Sequence, residues 1–239
     1  MTTLGLDITL TWLGHSAFHL VSPGGVHVLI DPWLTGNPKA PKDPVPPKVD
    51  LILLTHGHLD HLGDTVAIAA KHGCPVFCGF ELELHLTSIG VTTASGMGKG
   101  GSQRHAGLTV TATHAVHSSS VDQPDGTFVS TGDPMGFVIT FENETRLYFA
   151  GDTGPMADMA VIRELYAPDV ALLPIGDRYT MGPREAAWAA QQLGARFIVP
   201  MHYGTFDVLT GTPDALRAEM AKRGVKAEVI APEPGVAIL

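Results

Sequence analysis

The sequence predicts an α/β protein in which two mixed β-sheets stack face to face with helices outside. Three observations predict this architecture. Short apolar segments of strand length recur along the chain, helix-length segments alternate with them later in each half, and the two halves follow the same order. Hydrophobic residues make up 44% of the 239 positions and charged residues only 16%, so an extensive core can form. We expect one domain over residues 1–239.

The first half begins with strand patterns. Residues 6–12 alternate apolar and polar side chains, which is the period of a half-buried strand. Residues 17–21 and 26–30 flank a Ser-Pro-Gly-Gly turn signal and predict a hairpin. Residues 49–55 are almost continuously apolar, as in a strand covered on both faces. Helices are then expected at residues 64–72 and 81–88, with a strand at 75–78.

The second half repeats this order. Strands are expected at residues 108–113, 136–141, 146–150, 170–173, 197–199 and 227–230. Helices are expected at residues 155–166, 183–193 and 213–223. Two segments lack a regular pattern: the glycine-rich residues 96–101 are predicted to be flexible, and residues 118–135 are predicted to form part of a lid or rim.

Composition excludes several classes of function. The net charge is −9, with 15 basic against 24 acidic residues, which argues against a nucleic-acid partner because phosphate neutralisation needs a basic surface. No apolar run approaches the roughly 20 residues of a membrane span, and no signal-peptide pattern is visible, so a cytoplasmic protein is expected. Cys74 and Cys78 are expected to be buried free thiols. Composition leaves the oligomeric state open, including a homo-oligomer.

One short segment concentrates most of the chemistry. Directly after the strand at residues 49–55, the sequence His56-Gly57-His58-Leu59-Asp60-His61 places four possible metal ligands within six residues. In an extended segment His56 and His58 project the same way, while Asp60 and His61 fall at a helix start and can reach a second position. Imidazole and carboxylate donors suit Zn²⁺. Without a metal, crowding these groups at the end of a core strand would be costly.

The remaining ligands are expected just past other strand ends, because side chains from different strands converge there. His117, Asp152 and His202 occupy such positions. A carboxylate such as Asp152 can bridge two metal ions. The expected ligands are His56, His58 and His117 for one ion and Asp60, His61 and His202 for the other.

This pattern of His-x-His-x-Asp-His, a later His, a Gly-Asp and a final His resembles the metallo-β-lactamase superfamily. More narrowly, the chain is similar to its uncharacterised metal-dependent hydrolases, which are related to ascorbate-phosphate lactonases and N-acyl-phosphatidylethanolamine phospholipases. Further matching pieces lie at residues 12–16, 30–33, 117–119, 150–154 and 174–183. The resemblance implies a four-layer αββα sandwich and a two-metal site formed by the seven residues above.

Three other residues near strand ends have open roles. His15 is expected either to contact substrate or donate a proton, or to make a core hydrogen bond. By the resemblance, Asp31 orients a histidine ligand, and a simple turn aspartate is the alternative. His114 competes with His117 for one ligand position, and the His-Ser-Ser context favours His117.

Substrate contacts are expected from one loop in the second half, at Tyr179, Thr180 and Met181. Lys99 and Arg104 either meet an anionic substrate or lie on a solvated loop face. The remaining histidines, expected to be structural or exposed, are His19, His27, His72, His85 and His105.

The expected activity is metal-dependent hydrolysis of a small-molecule ester, lactone, amide or phosphoester. Metal coordination lowers the pKa of bound water to about 7, which supplies hydroxide as the nucleophile, and Asp60 would orient it. Two cations make the pocket positive, which favours an anionic substrate. Zn²⁺ is expected, with Mn²⁺, Fe²⁺ and Ni²⁺ as alternatives. A dioxygenase-like iron enzyme and a non-catalytic binding protein are the competing hypotheses; di-iron oxidases of this fold usually carry Glu at the position of His58.

Overall fold

The computed structural model describes residues 4–239, and two seven-stranded sheets form its centre. The first sheet contains β1 (Thr9–Trp12), β2 (Phe18–Val21), β3 (His27–Ile30), β4 (Leu51–Leu53), β5 (Val76–Gly79), β6 (Ala94–Met97) and, from the end of the chain, β16 (Ala237–Ile238). Its strand order is β16-β1-β2-β3-β4-β5-β6.

The second sheet contains β7 (Ser102–His105), β8 (Leu108–His114), β11 (Met135–Thr140), β12 (Arg146–Phe149), β13 (Val170–Pro174), β14 (Phe197–Met201) and β15 (Glu228–Val229). Its order is β15-β14-β13-β12-β11-β8-β7. Each sheet changes from antiparallel to parallel pairing along the chain, at β3 in the first and at β12 in the second. The two halves therefore repeat one topology, as the sequence predicts.

Six helices accompany the sheets in the described residues. They are α1 (Leu59–Leu62), α2 (Thr65–His72), α3 (Phe80–Ser88), α4 (Asp158–Tyr166), α5 (Pro183–Leu193) and α6 (Pro213–Lys222). Ile68 of α2 and Leu82 of α3 belong to the same buried cluster as Ile52 of the first sheet. Helix α5 begins at Pro183, a favoured first helical residue, and presents four buried alanines to the core. None of these helices is long and apolar enough to span a bilayer.

The main core lies between the two sheets. Inward-facing side chains of both sheets form one buried cluster, and the rings of Phe18 and Phe149 meet across it with centroids 6.0 Å apart. Packing sheet against sheet leaves the carboxyl ends of the strands free to carry loops. The backbone N–H of Met135 donates to the carbonyl of Thr55 at 3.1 Å, which joins the loops of the two sheets at this edge.

Some predicted elements are corrected. Helix α4 begins at Asp158 rather than at residue 155, because Gly154 N–H donates to the carbonyl of Val116 and keeps the preceding turn on the neighbouring loop. Part of residues 96–101 is ordered: Gly96 and Met97 close β6. Residues 118–135 contain a two-stranded hairpin, β9 (Ser120–Asp122) and β10 (Phe128–Ser130). Cys74 and Cys78 are buried free thiols, as expected.

Candidate metal centre

Hydrogen bonds to the side chain of one aspartate hold the segment that follows β4. Asp31 accepts hydrogen bonds from the backbone N–H of Thr55 at 2.8 Å and from its hydroxyl at 2.7 Å. The same carboxylate lies 2.7 Å from Nδ1 of His61. One buried carboxylate therefore sets both the start of the histidine segment and the orientation of a histidine within it, which is the role that the resemblance implies for Asp31.

A first group of donors, the three-histidine cluster, consists of His56, His58 and His117. Its ligand atoms all lie within 4.8 Å of one another. His56 Nε2 is 3.0 Å from His58 Nδ1, and the ring centroid of His117 is 5.2 Å from each of the other two. The hydroxyl of Thr55 is 2.9 Å from His56 Nδ1, which leaves Nε2 directed into the cluster.

A second group, the Asp60 cluster, consists of Asp60, His61, His202 and His15. One ligand atom from each lies within 4.8 Å of the others. Asp60 Oδ2 is 4.0 Å from His61 Nε2 and 3.9 Å from His202 Nε2. Apart from His15, these are the residues expected to hold a second ion.

Asp152 stands between the two clusters. Its Oδ2 atom is 3.0 Å from His202 Nε2, 3.3 Å from His61 Nε2 and 3.7 Å from His117 Nε2. The structure thus brings all seven sequence-predicted ligand residues to one place, with the carboxylate predicted to bridge in the shared position. The loops that achieve this follow β4, β8, β12 and β14.

Burial dominates the electrostatics of the three-histidine cluster. Loss of solvation lowers the pKa of His56 well below its usual value, with His61 adding to the effect. Burial likewise lowers the pKa of His58 and of His117. These imidazoles are neutral at pH 7, which is the form that binds metals.

Opposite charges dominate around Asp152. Burial alone would raise the pKa of Asp152, but His202 and His61 outweigh it and hold the pKa well below its usual value. Burial would lower the pKa of His61, yet Asp152, Asp31 and Asp60 together raise it well above 6.5. His61 and Asp152, whose atoms Nε2 and Oδ2 lie 3.3 Å apart, thus stabilise the charged form of each other.

The donor set fits divalent cations. Asp152 Oδ1 is buried and has no hydrogen-bond partner among residues 4–239, a costly state for a polar atom. Asp152 belongs to the convergent group, so a bound cation would supply the partner that this oxygen lacks. Imidazole and carboxylate donors suit Zn²⁺ and related divalent ions.

His15 is buried against Asp60. It is fully buried, with Nε2 at 3.0 Å from Asp60 Oδ2 and Nδ1 at 2.9 Å from Thr205 Oγ1. Its φ of 55° is the left-handed conformation, held in place because its carbonyl accepts hydrogen bonds from Trp12 Nε1 and from the backbone N–H of His202. Of the roles left open for His15, the structure shows the buried hydrogen bond: its side chain positions Asp60.

The proton on His15 can be assigned from its two partners. Burial raises the pKa of Asp60, but His61 and the hydrogen bond from His15 outweigh this and bring it far below its usual value. An ionised carboxylate only accepts, so His15 Nε2–H is the donor and Thr205 Oγ1–H donates to Nδ1. Burial, reinforced by His202, lowers the pKa of His15 to about 4, so the ring stays neutral.

The predicted substrate contacts divide into exposed and buried residues. Tyr179 is exposed and Thr180 is half-buried. Met181 is only 1% exposed and packs in the main core, so its assignment as a substrate contact is corrected. Its backbone N–H donates to the carbonyl of Thr153, which pulls the end of this loop inward beside Asp152.

The alternative basic and histidine candidates lie outside both clusters. His114 Nδ1 is 3.3 Å from Lys99 Nζ, and Lys99 forms an ion pair with Asp133 at 3.0 Å. His114 is in none of the donor groups found among the described residues. Arg104 is exposed on edge strand β7.

The β9–β10 hairpin rests on the histidine segment. Gly57 N–H donates to Ser119 Oγ at 3.1 Å, and a Cβ at Gly57 would come within 2.6 Å of Thr131 Oγ1. Only glycine allows this approach between His56 and His58. The hairpin therefore lies at the rim of the site, the place expected for residues 118–135.

Three contributing residues are not among the predicted site residues. Thr205 is 190 positions from the histidine whose ring it holds, and Trp33 and Phe206 meet that ring edge to face. Trp33 follows the predicted Asp31, which was the one available hint. Thr205 and Phe206 lie in an irregular loop and become visible only through their contacts.

Comparisons with known proteins agree with this geometry. The family model described as "Beta-lactamase superfamily domain" matches residues 27–203, which includes all seven predicted ligand residues. The chain belongs to this superfamily. A relative from Rubrobacter xylanophilus, named "UPF0173 metal-dependent hydrolase", is 45% identical over 95% of this chain and 94% of its own.

Solved structures show the same fold. Igni18, described as a novel metallo hydrolase from Ignicoccus hospitalis, is 38% identical, with a TM-score of 0.85 and 97% of both chains covered. CmlA, a diiron β-hydroxylase from Streptomyces venezuelae, is 16% identical, with a TM-score of 0.68 over 94% of this chain and 53% of its own. At that identity the likeness to CmlA concerns the fold alone. The predicted metallo-β-lactamase architecture is confirmed.

Proposed function

We propose that this protein is a hydrolase that uses two divalent cations to cleave a small-molecule ester, lactone, amide or phosphoester. The observation that carries the proposal is the position of Asp152 Oδ2, which lies 3.0 to 3.7 Å from Nε2 atoms of both clusters. A shared carboxylate between two donor groups is typical of two-metal sites. The names of the relative from Rubrobacter xylanophilus and of Igni18 support hydrolysis.

The three-histidine cluster would hold one cation, and Asp60, His61 and His202 the other, with Asp152 shared. We propose Zn²⁺ because imidazoles dominate the donors, while Mn²⁺, Fe²⁺ and Ni²⁺ fit the same donor types. When bound, such cations activate water at neutral pH and stabilise negative charge on the reacting group.

The chain itself contributes orientation. The Asp60 side chain is 32% exposed, so its carboxylate reaches the substrate space while His15 holds Oδ2 from behind. Asp60 can thus orient an attacking water. Asp31 fixes the ring of His61 in the same way, through Nδ1. His15 and Asp31 therefore hold Asp60 and His61 in one geometry before the substrate binds.

The test combines elemental analysis with a substrate panel. We expect about two zinc ions per chain in purified protein, and hydrolysis of chromogenic phosphodiesters, esters or lactones that chelator abolishes and Zn²⁺ restores. Trace metal alone would contradict the proposal. Stoichiometric iron with visible absorption and no hydrolysis would also contradict it, and would point to redox chemistry instead.

A further inference from the structure

We infer that Trp33 and Phe206 form an aromatic wall that binds an apolar group, preferably an aryl group, of the substrate beside the Asp60 cluster. The inference rests on the proposed hydrolytic function and adds to it a chemical class of substrate. It concerns the surface beside Asp60 rather than the ligands themselves.

The wall is one ring away from a proposed metal ligand. The rings of Trp33 and Phe206 stack with centroids 5.9 Å apart and an interplanar angle of 23°. Each also meets the ring of His15 edge to face, at 5.3 Å and 5.8 Å respectively. His15 Nε2 is in turn 3.0 Å from Asp60 Oδ2. Asp60 and Phe206 thus contact the same buried ring, and both are partly exposed, so a substrate that reacts at Asp60 would have the Phe206 ring as a neighbour.

Part of this apolar surface is open to solvent. Phe206 is 45% exposed, although its ring already packs on two others. Apolar side chains placed at the mouth of a polar centre are typical of binding sites, where a few polar groups fix orientation and apolar walls supply affinity.

The residues that hold the centre also hold the wall. The backbone N–H of Trp33 donates to the carbonyl of Asp31, and the Asp31 side chain holds the ring of His61. Phe206 directly follows Thr205, which is bonded to His15. Gly63 ends α1 against the backbone of Trp33, where a Cβ would collide with the Trp33 Cα. The wall is thus fixed relative to the donors, as a specificity surface must be.

An alternative role for the rings is to shield the His15–Asp60 hydrogen bond from water. The two roles differ in what removal of the exposed ring would change. If the ring is a shield, its removal changes the affinity for every ligand and for the metal equally. A binding wall affects only ligands that carry an apolar group, because the ring–ring contact adds about 0.5–1.5 kcal/mol, which corresponds to roughly 2- to 12-fold in affinity.

The experiment compares two ligands that share one head group. Zinc-loaded protein is titrated by calorimetry with methylphosphonate and with phenylphosphonate, and zinc content is measured in each sample. We expect phenylphosphonate to bind about tenfold more tightly to the unchanged protein and no more than about twofold more tightly to Phe206→Ala. Phe206→Leu should give an intermediate ratio. Leu165→Ala, which removes a side chain that is 63% exposed on α4, should keep the full ratio.

The outcomes separate this inference from the proposed function. Equal binding of both phosphonates, or a ratio that Phe206→Ala leaves unchanged, would overturn the wall and leave the hydrolase proposal standing. A Phe206→Ala variant that loses zinc and weakens both ligands equally would assign the ring to shielding. If neither phosphonate binds protein that holds zinc, the wall is contradicted and the metal site stands, whereas protein that cannot be loaded with zinc contradicts the proposed function itself.

Discussion

Two pairs of histidines in this protein make almost the same contact. His19 Nε2 lies 3.0 Å from His27 Nδ1, and His56 Nε2 lies 3.0 Å from His58 Nδ1. The first pair joins neighbouring strands β2 and β3, and its rings stack at 20°. The second pair belongs to a loop at a strand end, and its rings are nearly perpendicular at 81°.

The surroundings distinguish the two pairs. His19 and His27 belong to no group of three metal donors among residues 4–239. His56 and His58 have His117 within the same 4.8 Å limit, and the Asp60 cluster lies beyond. A close histidine pair is therefore not evidence of a metal site. Convergence of several strand-end loops on the pair is the informative observation.

The largest effect on the proposed metal centre is expected when the shared carboxylate is removed. Asp152→Asn keeps the side-chain volume but loses the charge that faces both clusters. We expect metal content to fall below one ion per chain and hydrolysis to fall by about 100-fold or more, since even outer partners of metal ligands are worth about 10- to 100-fold. Elemental analysis and the chromogenic assay measure both.

The matched control for this variant is Asp133→Asn, which changes an exposed aspartate paired with Lys99. It should retain both metal and activity. An Asp152→Asn protein that is folded by circular dichroism and keeps two ions per chain would show that the carboxylate is not shared between cations.

The comparison is tested most directly by changing one histidine from each pair. His58→Ala should lower metal content from about two ions to about one, because Asp60, His61 and His202 remain, and should reduce hydrolysis by about 10- to 100-fold. His27→Ala should leave metal content unchanged. Equal metal loss in the two variants would mean that the β2–β3 pair also binds metal.

The difference between the pairs also explains what the sequence could predict. His56, His58, Asp60 and His61 are contiguous and follow a buried strand, so spacing alone reveals them. The three isolated predicted ligands required a rule about strand ends and a family resemblance. The structure places them beside the histidine segment because the repeated topology of the sheets sends several strand ends to one edge.

The errors have equally specific causes. Met181 sits in a loop beside a ligand loop, but a backbone hydrogen bond to Thr153 turns its side chain into the core. The β9–β10 hairpin has the composition of an irregular loop, and its pairing depends on the surface beneath it at Gly57. Thr205 could not be predicted because its role exists only in contact with a distant ring.

A smaller effect on kcat is expected when a hydrogen bond that positions a donor residue is removed. The described contacts of the β2–β3 pair include no hydrogen bond of this kind. Thr205→Val removes the hydroxyl that bonds His15 Nδ1 and frees the ring to turn away from Asp60. We expect kcat to fall about tenfold with metal content unchanged. Thr205→Ser keeps the hydroxyl and should restore most of the rate. If Thr205→Val keeps the full rate while Thr205→Ser is slow, the methyl group rather than the hydrogen bond matters, and the positioning role of His15 is wrong.

The smallest expected effect concerns the pair outside the site and is measured through stability. Burial, with a further contribution from His27, lowers the pKa of His19 to about 4, against 6.5 in the unfolded chain. Between these values the unfolded state binds a proton that the folded state does not, so stability is fully present above about pH 6.5 and decreases as the pH falls toward 4. His19→Gln cannot titrate and should show a smaller drop in Tm between pH 7 and pH 4.5 than the unchanged protein. Because groups at the metal centre titrate in both proteins, the difference between the two curves isolates His19. Parallel curves of Tm against pH would show that His19 gains solvent or a compensating partner when it is protonated. The two histidine pairs would then be more alike than their surroundings indicate.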